Sequence, residues 1–153
     1  MVDLNLPRFT ALVSTAIALL GWASDGIAAT TRVAICDRLS GQLVFVGEPE
    51  GTDRWAADRF ENTRWTFEWR DGQQTARLTV QGGPYDGTVE EPVIVAADED
   101  HVSMLAKHRT EALLYTLYFR NGKVLASTHK LGLERGPPRA QLLVGSCSFE
   151  PGR

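Results

Sequence analysis

From Asn62 to Gln81 the chain alternates apolar and polar residues with a period of two, interrupted once by Asp71-Gly72. That pattern leaves little room for anything but an antiparallel hairpin. Trp65, Phe67 and Trp69 fall on one face with Ala76, Leu78 and Val80, while Arg64, Thr66, Glu68, Arg70, Thr75 and Arg77 share the other. Asp-Gly tolerates the positive φ angles of a tight turn. A loop of two residues or of four keeps the parity, so the apolar face is assigned without knowing the turn.

A second hairpin is expected from Ala112 to Arg120, through Asn121-Gly122, and back from Lys123 to Leu131. A two-residue turn pairs Phe119 with Val124, Leu117 with Ala126 and Tyr115 with Thr128 on the core face. The opposite face, with Leu114, Thr116, Tyr118, Leu125, Ser127 and His129, is more apolar than an ordinary wet face, which suggests a cover. Further strand candidates are Arg32 to Asp37, Gln42 to Gly47, Pro92 to Ala97, Val102 to His108 and Ala140 to Phe149, with Ser40-Gly41 read as a turn between the first two. A short helix is expected over Asp53 to Glu61, capped by Thr52, with Trp55, Ala56 and Phe60 at helical spacing.

An up-and-down barrel wants an even number of strands. Nine candidates therefore mean that one is not a separate strand, or that the helix carries a crossover. The expected fold is a mainly β, small antiparallel β-barrel or meander of about eight strands with one short helix. A two-sheet β-sandwich is the alternative.

The chain holds two cysteines, Cys36 near the first strand and Cys147 in the last. A disulfide between them requires those strands to be neighbours. The compartment that would form it is indicated by residues 1–29. Arg8 precedes an apolar run from Phe9 to Ala23, and Ile27-Ala28-Ala29 supplies small residues for cleavage. This is the pattern of a secretory signal peptide, and its run is short of the roughly 20 residues that cross a bilayer. Residues 1–29 are expected to be removed, leaving 30–153 as one β-rich domain in the periplasm or outside the cell, with no stable membrane insertion. A formal charge of −3 lacks the basic excess that nucleic-acid binding requires.

No catalytic set or metal site emerges. His101 and His108 differ by an odd number, so a strand sends them to opposite faces. Asp98-Glu99-Asp100-His101 lacks calcium-loop spacing and reads as a solvated turn. Ser127 and His129 share a face but sit roughly 6–7 Å apart, with no elbow motif around the serine. The loop Gln81-Gly82-Gly83-Pro84-Tyr85-Asp86-Gly87 has no cation for a phosphate and reads as a rigid turn, with Tyr85 placed for a contact. The candidate contact residues are Tyr85, Trp65, Trp69 and Tyr115. The aromatics serve as core or as the lining of a barrel mouth for a small apolar ligand. The sequence thus reads as an exported, non-enzymatic β-barrel that needs no cofactor and binds a small apolar ligand or a protein partner. The alternatives are a small periplasmic hydrolase, with Ser127 and His129 as its chemistry, and a structural component of an envelope assembly.

Overall fold

The computed structural model describes residues 29–47, 53–132 and 137–151. The expected signal peptide lies outside the described residues, apart from Ala29. Ten strands follow in order: β1 (Thr31–Phe45), β2 (Arg54–Phe60), β3 (Arg64–Arg70), β4 (Arg77–Gln81), β5 (Val89–Glu90), β6 (Val93–Ala97), β7 (His101–Lys107), β8 (Glu111–Tyr118), β9 (Lys123–Lys130) and β10 (Arg139–Pro151). They form one antiparallel sheet in the order β5-β4-β3-β1-β10-β9-β8-β7-β6, with β2 also paired to β1. The sheet curls into an open half-barrel whose concave side is the core. Its end strands β5 and β6 are consecutive in the chain. One bridge, Thr75 to Val93, draws the two ends together, flanked by Ala76 N–H to the Pro92 carbonyl (2.9 Å) and Ile94 N–H to the Gln74 carbonyl (2.7 Å).

The first hairpin has the expected faces. Trp65, Phe67, Trp69, Ala76, Leu78 and Val80 are all buried, while Arg64, Glu68, Arg70, Thr75 and Arg77 are exposed. Three expectations are corrected. Residues 53–61 are not a helix: Arg54–Phe60 pairs residue by residue with Phe45–Leu39 of β1. A helix that short is marginal in water. The free edge of β1 instead bonds the backbone along the whole segment and buries Phe60, while Trp55 is 68% exposed.

Ser40-Gly41 is likewise not a turn. β1 runs through it as one strand, absorbing the irregularity at Arg38, whose φ of 53° lies where the β1–β10 register shifts. β2 and β3 lie end to end along the same edge of β1, broken at Glu61 to Thr63 opposite that bulge. Two of the nine strand candidates are thus halves of one strand, and β2 and β5, which were not among the candidates, bring the count to ten.

The second hairpin is shifted by two residues: Leu117 pairs with Val124, Tyr115 with Ala126 and Leu113 with Thr128. A two-residue type I′ turn needs positive φ at both central residues, and only Gly122 has it (60°). Phe119 leaves the ladder to donate its N–H to the Asp100 carbonyl at 2.9 Å. A shift of two preserves parity, so the core face survives. The convex face keeps an apolar band, with Val93, Val95, Leu114, Leu142 and Val144 exposed, and no described residue covers it.

Cys36 and Cys147 are bonded, joining the first and last strands. They are direct partners in the β1–β10 ladder. Cys147 N–H points away, to the Gly122 carbonyl at 2.8 Å, so the two cysteines form a non-hydrogen-bonded pair, the closer kind. Their Cα atoms are 4.0 Å apart.

β1 and β10 approach closely at Gly41, where a Cβ would lie 1.8 Å from the Leu142 carbonyl oxygen. Backbone cannot yield as a side chain does. Gly41→Ala is therefore expected to destabilise the fold by at least about 1–3 kcal/mol, against less than about 0.5 kcal/mol for exposed Ser40→Ala next to it. Urea melts of the two variants check this, and equal small losses would refute the close approach.

Candidate functional site

The inward positions of β3 and β8 bring Trp65 against Tyr115, edge to face at 5.7 Å. Tyr85 is held beside Phe60 at 5.8 Å by the loop after β4. That loop is pinned by Gly82 N–H on the Asp86 carboxylate (2.6 Å) and Gly87 N–H on the Val80 carbonyl (3.0 Å). Gly82 has φ 76°, and a Cβ there would meet the Asn62 carbonyl oxygen at 2.2 Å, so the turn requires glycine. Tyr85, Trp65, Tyr115 and Phe60 line one cavity of about 130 Å³ at one end of the half-barrel.

The far wall of the cavity is built in cross-strand rows from β8, β9 and β10. Deepest are Tyr115 and Leu143, linked through Ala126 of β9 between them; above lie Leu113, Thr128 and Gln141; at the rim Glu111, Lys130 and Arg139. Leu78 and Val80 of β4 add apolar wall. The floor is thus aromatic and aliphatic, the middle carries a hydroxyl and an amide, and the rim is charged.

Most polar groups here are already engaged. Tyr115 O–H donates to Glu90 Oε2 at 3.2 Å, and His108 Nε2 lies 3.4 Å from Glu90 Oε1. Burial first, and the Glu90 charge second, push the Tyr115 phenol far above its ordinary pKa, so it stays a neutral donor. Gln141 donates its side-chain amide to Asp58, and Lys130 Nζ lies 3.8 Å from Glu111 Oε2. Two groups that can only donate are left over. The Trp65 indole N–H is buried without an acceptor, and Arg139 has no hydrogen-bond or ion-pair partner among the described residues.

Of the candidate contact residues, Tyr85, Trp65 and Tyr115 come together and Trp69 does not. Trp69 lies at the other end of β3, stacked on Phe119 at 6.2 Å with Phe149 beyond. Ser127 and His129 sit on the convex face, away from the cavity. His101 pairs with Asp98 at 2.9 Å and stacks on Tyr118. The Asp98 carboxyl is held below its ordinary pKa, chiefly by the backbone N–H of His101 and then of Asp100, as befits a turn residue. Among the described residues no group of three or more His, Cys, Asp or Glu could hold a metal ion.

Glu90, Thr128, Lys130, Arg139 and Gln141 were not legible as site residues, although Thr128 and Lys130 share the parity of buried Val124 and Ala126. Polar residues at the end of a core-facing stripe were the available signal. Fold and site together define an antiparallel β half-barrel with an amphipathic pocket at one end. No family model, curated protein or solved structure matches the chain.

Proposed function

We propose that this chain is an exported, non-enzymatic binding protein that holds one small ligand in the cavity between Trp65, Tyr115, Tyr85 and the β8–β10 wall. The cavity itself carries this reading. Its volume of about 130 Å³ is close to the roughly 150 Å³ that admits benzene and well under the roughly 300–1,000 Å³ of drug-sized sites. A single ring fits, or the ring-bearing end of something longer. The apolar floor supplies affinity, and the polar wall above it supplies orientation. Binding rather than turnover is favoured because, among the described residues, the wall's aliphatic hydroxyls, Thr88 and Thr128, have no base within hydrogen-bond distance, and burial keeps the Tyr115 hydroxyl on Glu90 protonated.

Export is supported by the formed disulfide, which suits an oxidising compartment. Among the described residues no helix is long and apolar enough to cross a membrane. Tyr85, read from sequence as a contact residue on the glycine-rich loop, serves better as one side of the cavity entrance.

Calorimetric titration with one-ring probes (benzoate, benzyl alcohol and benzylamine) tests the proposal. At least one should bind one to one. Roughly 8–9 heavy atoms contributing about 0.6 kcal/mol each give a Kd on the order of 0.1–1 mM. Leu113→Phe, which fills the cavity from β8, should abolish that binding while the chain stays folded by circular dichroism. Absence of binding for every probe would overturn the reading.

A further inference from the structure

The rim of the cavity carries an arrangement that folding alone does not explain. Lys130 on β9 and Arg139 on β10 are direct cross-strand partners. Both line the cavity. Like charges placed opposite each other repel, and the row holds one carboxylate for two cations: Glu111, the β8 partner of Lys130. It reaches Lys130 at 3.8 Å, leaving Arg139 unpaired among the described residues. The cavity's other carboxylate, Glu90, has one oxygen on the Tyr115 hydroxyl and the other on His108. The unmet demand at the rim of this cavity is therefore for an acceptor, from Arg139.

We infer that the ligand is a small planar monocarboxylate, its ring on the Trp65–Leu78–Tyr115 floor and its carboxylate between Arg139 and Lys130. The inference rests on the binding function proposed above and adds the ligand's charge and orientation. A guanidinium presents a planar fork matched to a carboxylate, and such charge-assisted bonds are about twice as strong as neutral ones. Lys130, spaced across the ladder from Arg139, meets the same anion as a point charge. A ring with a cationic arm would instead meet Arg139 and Lys130 as repulsion. An anion without a ring would leave the apolar floor empty.

Benzoate, benzyl alcohol, benzylamine and acetate, titrated into the full chain and into Arg139→Gln and Arg139→Lys, test this. Benzoate should bind the unaltered protein at least tenfold more tightly than the other three. Its affinity should fall roughly 10- to 100-fold in Arg139→Gln and recover partly in Arg139→Lys, and added salt should weaken it. Benzyl alcohol should bind both variants as it binds the unaltered protein, which shows that the cavity is intact. If benzyl alcohol matches benzoate, or Arg139→Gln leaves benzoate unchanged, the carboxylate assignment fails while the binding function stands. If acetate matches benzoate, the site is an ion site without a ring pocket and the assignment fails equally. If no ring compound binds at all, both fail.

Discussion

Replacing Cys36 and Cys147 together with alanine is expected to lower the stability of the folded chain by about 4–5 kcal/mol. The bond closes a loop with a sequence separation of 111. In the chain-entropy model, freeing a loop of that length costs about 4.8 kcal/mol. The bond sits where the first strand meets the last, in the ladder that, among the described residues, joins the two ends of the chain. Cys36 is wholly buried, so alanine, which keeps the position apolar, separates loss of the bond from burial of a polar group. Urea melts of the double variant beside the unaltered protein measure the difference. A loss under about 1 kcal/mol would show that the sheet holds its ends without the bond.

Phe67→Ala comes next in size, at about 3–5 kcal/mol. Phe67 is fully buried at the centre of β3 and packs edge to face on Tyr115 at 5.4 Å and on Trp65 at 6.4 Å. Removing it opens a void that its rigid aromatic neighbours fill poorly. Thr66→Ala, one position away on the convex face, should change stability by less than about 1 kcal/mol. The contrast between adjacent residues tests the strand's orientation. Equal losses from both would mean that β3 does not present alternate faces to core and solvent.

The β3–β4 faces were readable because two residues of alternation settle parity, and parity is insensitive to turn length. Register was not readable. Whether Asn121-Gly122 makes a two-residue turn depends on whether Phe119 stays in the ladder, and Asp100, far off in sequence, draws it out. The helix expected at residues 53–61 failed for a related reason. Helical spacing of three residues is a local signal, and it lost to the open edge of β1, which only the folded sheet supplies.

The candidate site divides the same way. Aromatics on an inward parity were visible, hence Trp65 and Tyr115. The pairing of Tyr115 with Glu90, and the stacking of Glu111, Lys130 and Arg139 into one rim, follow from strand neighbours that no short window of sequence contains. Trp69 carried the same local signature as Trp65, and only its distance along β3 sends it to the opposite end of the half-barrel.

The measurement closest to the central claim follows the indole N–H signals of Trp55, Trp65 and Trp69 by nitrogen–proton NMR during titration with benzoate and with benzyl alcohol. Trp55 is exposed and neither it nor Trp69 lines the cavity, whereas Trp65 does and has an unbonded N–H. Occupation of the cavity predicts a saturable shift of the Trp65 signal with those of Trp55 and Trp69 nearly still. A Trp65 signal that stays fixed, or shifts confined to Trp55 or Trp69, would contradict it.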